Sequence, residues 1–81
     1  MACEAFVLVN VEVGHVDDIM DELSGMDEIE FVASTAGEYD LILRVSTENL
    51  EAQHDFVTRE LHGFEGVEST ETHIIAKKIE K

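Results

Sequence analysis

Between Thr35 and Val45 the chain reads Thr35-Ala36-Gly37-Glu38-Tyr39-Asp40-Leu41-Ile42-Leu43-Arg44-Val45, a glycine turn running into an apolar strand whose second residue is an aspartate. A carboxylate beside a flexible turn has the chemistry to hold a small ammonium-bearing ligand. Asp40 would accept a charge-assisted hydrogen bond, and backbone N–H groups near Gly37, free to take positive φ, would receive an anionic end. Ser69, Thr70 and Thr72 add hydroxyls that both donate and accept. The same residues have a plain structural account, with Gly37 serving a hairpin, Asp40 solvated and the threonines present for β propensity. Residue types alone leave both accounts open.

These residues need a frame, and the hydrophobic period supplies one. Ala5 to Val13 is too β-branched for a surface helix and reads as a central strand, with valines 7, 9, 11 and 13 on one face and Phe6, Leu8, Asn10 and Glu12 on the other. Gly14 ends it. Val16, Ile19, Met20 and Leu23 recur at helical spacing up to a capping Gly25, with early aspartates at the positive end of the helix dipole. Residues 28–34 alternate, with Ile29, Phe31 and Ala33 opposite Glu30, Val32 and Ser34, and Gly37 separates them from the strand Tyr39 to Val45. Ser46 or Thr47 is placed to cap a second helix with Leu50, His54, Val57, Leu61 and Phe64 on one face, ending near Gly63. A last strand follows Gly66, roughly Val67 to Ile79.

That order, βαββαβ, predicts an α+β ferredoxin-like fold: a four-stranded antiparallel sheet with two helices on one face. The other face leaves Phe6, Leu8 and Ile42 wet in a monomer, so a dimer packed sheet to sheet is expected. Size argues the same way. The 81 residues suffice for one domain, residues 1–81, which buries only about 60% of its unfolded surface and gains from a second copy.

Charge excludes several classes. Nineteen acidic residues against five basic ones give a net charge of −14, which repels phosphate backbones and anionic lipids. Neither nucleic acid nor a membrane is an expected partner, and the longest apolar run, Ala5 to Val9, falls far short of the roughly 20 residues a bilayer requires. A cytoplasmic protein is expected, in a salt-rich cytoplasm that screens such a surface. Lone Cys3 can form no internal disulfide and reads as an ordinary small residue.

Catalysis and metal binding find little support. His54 and His62 are eight residues apart with no third ligand at a metal-site interval, so no metal or other cofactor is expected. His54 is expected to fill an apolar helix position, with His15, His62 and His73 at the surface or an interface. No nucleophile–base pair or phosphate-cradling loop is present, and the expectation is that the chain is not an enzyme. A competing reading is a cofactor-free monooxygenase-like pocket between sheet and helices, with Asn10, His54 and Tyr39 as candidates. A regulatory module of the ACT type or a purely structural assembly module are further alternatives.

Two pieces, Gly37-Glu38-Tyr39-Asp40 leading into Leu41-Ile42-Leu43-Arg44-Val45, and Gly66-Val67-Glu68-Ser69-Thr70-Glu71-Thr72 ahead of Ile74 and Ile75, carry a family resemblance over nearly the whole chain. It resembles the small-molecule-binding domain of the Lrp/AsnC, or feast/famine, regulators. The resemblance implies sheet-paired dimers assembled into a ring, an octamer or similar, with a free amino acid bound where dimers meet. It places that ligand against Gly37, Glu38, Tyr39 and Asp40, with Ser69, Thr70 or Thr72 contributed by a neighbouring subunit. The sequence carries no helix-turn-helix before its first strand, so a stand-alone form is expected, acting through a DNA-binding Lrp-type partner rather than on DNA itself.

Overall fold

The computed structural model describes residues 2–81. Its elements are β1 (Cys3–Val11), α1 (Val16–Ser24), β2 (Ile29–Ser34), β3 (Leu41–Thr47), α2 (Leu50–Asp55), a π-helical continuation of α2 (Phe56–Leu61), and β4 (Val67–Ile74). The sheet order is β2-β3-β1-β4 and every neighbouring pair is antiparallel. This is the ferredoxin-like arrangement that the element order predicts.

Alternation decides what each face carries. Ala5, Val7, Val9 and Val11 of β1 and Leu41, Leu43 and Val45 of β3 are buried together with Ile19 and Leu23 of α1 and Phe56, Val57 and Leu61. Phe6, opposite Arg44, and Leu8, opposite Ile42, lie on the other face, where Phe6 stays 42% exposed.

Several boundaries differ from the sequence expectation, each for a local reason. β1 stops at Val11, and Val13 stands fully exposed before Gly14, whose φ of +93° turns the chain toward α1. Gly25 does end α1, but in ordinary right-handed backbone, its N–H bonding Glu22 O. β2 carries a bulge: Ile29 faces Val45 and Phe31 faces Arg44, so Glu30 is the extra residue. The bulge moves Ile29 to the helix side with Val32 and leaves Phe31 and Ala33 on the open face, which breaks the expected Ile29-Phe31-Ala33 stripe.

Ser46 and Thr47 remain in β3, and Asn49 caps α2 instead, its Oδ1 accepting from Ala52 N at 2.8 Å. The buried face of α2 is rotated by one residue from the expected one. Gln53 is 1% exposed where His54 was expected inside, and His54 and Leu50 are exposed. Gln53 earns its place by hydrogen bonding, because its Nε2 donates to Cys3 O at 3.1 Å and Val45 O at 3.2 Å. β4 ends at Ile74, short of Ile79; Ile75 N still donates to Glu4 O, and beyond it the tail leaves the sheet.

Candidate functional site

The loop that links β2 to β3 is built around Asp40. Thr35 N donates to Asp40 O at 2.9 Å, and the Thr35 hydroxyl donates to Tyr39 O, which closes the loop on itself. Asp40 then ties the loop to β1 twice: its N–H donates to Val9 O at 3.0 Å, and its Oδ2 accepts from Val11 N at 2.8 Å. Val11 sits where the β1–β4 register shifts, so its N–H needs a partner outside the ladder, and the Asp40 side chain supplies it. One carboxylate oxygen of the expected ammonium acceptor is therefore already engaged, and its half-buried position holds the loop against the sheet end. Tyr39 and Asp40 precede β3 rather than beginning it.

Gly37 and Glu38 are exposed at the loop tip. Gly37 is free to take positive φ but does not, and a Cβ on it would meet nothing within 4 Å. The glycine with a demonstrable need is Gly66, at φ +98°, where a Cβ would lie 2.5 Å from His15 Cγ.

Tyr39 is half-buried near the Glu71 carboxylate; burial first, and that carboxylate second, push its phenol above the usual value. Glu71 is in turn held below the usual carboxylate range, chiefly by His73, whose Nε2 lies 2.6 Å from Glu71 Oε2, and then by Tyr39. Asn10 Nδ2 donates to Ser69 Oγ at 3.3 Å. Asn10, Ser69, Glu71 and His73 thus form a polar margin beside Leu8 and Phe6 on the open face. The expected hydroxyls divide. Ser69 belongs to this margin, whereas Thr70 and Thr72, opposite Val9 and Val7, face the helix side, where Thr70 Oγ1 lies 2.9 Å from His62 Nε2. Within one protomer only Ser69 shares the loop's side of the sheet.

The sequence reading put His73 at the surface or an interface, where it is, but missed Glu71 and the pairing of the two. The alternation of β4 against β1 carried the signal, since any residue opposite Leu8 or Phe6 must share their face. The Asn10, His54 and Tyr39 trio is not assembled: Asn10 and Tyr39 belong to the open side, and His54 is on α2, across the sheet. At the other end of the open face Arg44 lies between Glu30 Oε1 at 3.4 Å and Glu80 Oε1 at 3.1 Å, and Lys78 pairs with Glu4, lowering the carboxyl and raising the ammonium. These contacts bring the tail back across the sheet.

Comparison with known proteins places this geometry. The model of the Lrp/AsnC ligand binding domain matches residues 4–81. The chain belongs to this family. The HTH-type transcriptional regulator FL11 of Pyrococcus furiosus is 34% identical over 73 residues, covering 90% of this chain and 48% of FL11. The chain spans about half the length of the curated relatives it matches. TTHA0845 of Thermus thermophilus superposes with a TM-score of 0.88 at 29% identity, covering 98% of this chain and 99% of that one. The Neisseria meningitidis transcriptional regulator NMB0573, solved as a complex with L-Met, superposes at 0.89 and 21% identity over 98% of this chain and 53% of its own, which bears on the fold. This Lrp/AsnC domain is therefore of the type that serves as the ligand-binding part of transcriptional regulators. No helix among the described residues is long and apolar enough to cross a membrane.

Proposed function

We propose that this domain senses a free amino acid and converts its binding into a change of assembly, acting on transcription or metabolism through a DNA-binding Lrp-type partner and performing no catalysis itself. The observation that carries the reading is the fixed loop 35–40, which presents a half-buried carboxylate at the rim of an exposed apolar sheet face. Asp40 takes the ligand's ammonium on its second oxygen, backbone N–H groups near Gly37 and Glu38 receive its carboxylate, and Tyr39 packs beside it. Ser69, Thr70 or Thr72 of a neighbouring subunit completes the site. The L-Met bound by NMB0573 supports this ligand class.

Two protomers pair through Phe6, Leu8, Phe31 and Ile42, and the dimers join into a ring, an octamer or similar, whose equilibrium the ligand biases by its differential affinity for the two states. The domain works in the cytoplasm, and its −14 charge suits a salt-rich one, because at 1 M salt charges are screened within about 3 Å. The test is thermal unfolding in high potassium chloride with each amino acid in turn, on wild type and on Asp40→Asn, which keeps an acceptor for Val11 N–H while removing the charge. A selective rise in melting temperature that Asp40→Asn abolishes is expected. A wild type indifferent to every amino acid overturns the reading, and an Asp40→Asn variant that responds normally removes Asp40 from it.

A further inference from the structure

The C-terminal tail crosses the open face of the sheet by charge rather than by apolar contact. Ile75 N donates to Glu4 O, so the tail leaves the end of β4 beside β1. Lys78 then pairs with Glu4 of β1, and Glu80 Oε1 lies 3.1 Å from Arg44 Nη1 of β3 and 3.7 Å from Lys78 Nζ. The tail thus runs from β4 over β1 to β3. Neighbouring strands lie about 4.8 Å apart, so an extended chain from 75 to 80, reaching about 17 Å at most, spans the distance with slack. Lys78 and Glu80 turn to the sheet, and Ile79 between them turns away, 85% exposed. Ala76 is exposed as well, so apolar burial adds almost nothing to the hold of residues 76–81.

The crossing falls on the surface that pairing would use. Arg44 stands opposite both Phe6 of β1 and Phe31 of β2, which are 42% and 49% exposed, and Glu4 is one step from Phe6 along the same face. Facing sheets pack about 10 Å apart, a layer that the side chains of both sheets fill. A length of backbone lying across one end leaves no room there for a second sheet. Seating a copy on top of the tail would instead bury Glu4, Glu30, Arg44, Lys78 and Glu80, and ion pairs rarely recover such a desolvation cost. Exposed pairs like these are individually weak, and salt weakens them further, its screening length falling from about 10 Å at 0.1 M to about 3 Å at 1 M.

We propose that residues 76–81 form an ionic strap that competes with a second copy of the chain for the Phe6–Arg44–Phe31 end of the open face, and that salt, by releasing the strap, admits the copy. This rests on the sheet-to-sheet pairing proposed above. Below about 0.1 M salt the acidic body holds its own basic tail, which carries Lys77, Lys78 and Lys81, and pairing is weak. Near 1 M the tail swings free and the whole face is open to its partner.

The experiment is sedimentation equilibrium of the full chain in about 0.1 M and about 1 M potassium chloride, comparing wild type with the double variant Lys78→Gln, Glu80→Gln. The variant loses one charge of each sign, so repulsion between copies is unchanged and only the strap is cut. At the lower salt it is expected to dimerise about tenfold more tightly than wild type, and at the higher salt within about twofold of it. Heteronuclear NOE at the amides of 77–81 reads the strap directly: ordered in wild type at the lower salt, mobile in wild type at the higher and in the variant at both. A tail equally ordered in every sample, equal dissociation constants at the lower salt, or a variant that dimerises less tightly overturns the proposal, the last by making the tail part of the interface. Leu8→Glu separates this failure from that of the pairing itself. Dimers that persist in Leu8→Glu, or none in wild type at either salt, sink the pairing and the strap together; dimers lost in Leu8→Glu, with one dissociation constant for wild type and the double variant, sink the strap alone.

Discussion

The two faces of this sheet share one set of strands and one hydrogen-bond ladder, yet they are built for different ends. On β1 and β3 the covered face is aliphatic, and Ala5, Val7, Val9, Leu41, Leu43 and Val45 are all 0% exposed beneath the helices. The open face alternates: half-buried Leu8 and Ile42 at its centre, Phe6 and Phe31 more exposed, and Arg44, Asn10, Glu71 and His73 around them. An apolar centre inside a polar rim is the anatomy of an association surface, whereas a uniformly apolar layer is that of a core. The difference teaches that folding rests on the odd residues of β1 and β3, and that assembly, as proposed above, rests on the even ones.

The sharpest way to break this comparison is to mutate neighbouring strands on opposite faces. Leu43→Ala removes a side chain with no exposure and should cost about 2–5 kcal/mol, measured by urea denaturation. Leu8→Glu, one step off register on β1, should instead leave the circular dichroism of the chain intact and shift its sedimentation toward monomer. If Leu8→Glu unfolds the chain as Leu43→Ala does, the open face is part of the core and the division fails.

Legibility in the sequence follows the same line. The covered face was readable because period-two alternation in β1 and β3 is strict, and family pattern and topology agree with it. What was unreadable came from single hydrogen bonds that periodicity does not encode. A bulge at Glu30 exchanges the faces of Ile29 and Phe31. Asn49 outcompetes Ser46 and Thr47 as the cap because β3 runs on through both. Gln53 displaces His54 from the interior because its amide satisfies two strand-end carbonyls. Asp40 was singled out for its charge, and the structure adds a role that charge does not reveal, since its carboxylate closes the end of β1.

The two glycines of the recognised motifs give the next test, smaller in effect. Gly66 has positive φ and His15 packed against it, so Gly66→Ala should cost about 1–3 kcal/mol in thermal or urea unfolding. Gly37 has neither constraint, so Gly37→Ala should be nearly neutral, within about 0.5 kcal/mol. Equal costs at the two positions would show that loop 35–40 uses conformations this structure does not hold.

The smallest expected effect reads the open face through its titrating groups. Glu71 has its carboxyl lowered, first by His73 and then by Tyr39, so folding favours its ionised form. That contribution is present above the ordinary value of 4.5 and is lost as pH falls through the lower folded value. Glu71→Gln should therefore flatten the melting-temperature profile on the acid side. Tyr39 is shifted the other way, and its contribution is lost only as pH rises through the raised phenol value. As the chain has one tyrosine and no tryptophan, phenolate absorbance reports Tyr39 by itself. Burial outweighs the Glu71 carboxylate as the cause, so Glu71→Gln should bring the phenol only part-way back toward 10.0. A second copy seated on this face would bury the phenol further, so the titration should move upward with protein concentration in wild type and stop doing so in Leu8→Glu. A midpoint independent of concentration in both proteins would mean that the rim around Tyr39 stays in water, and that the dimer, if it forms, uses another surface.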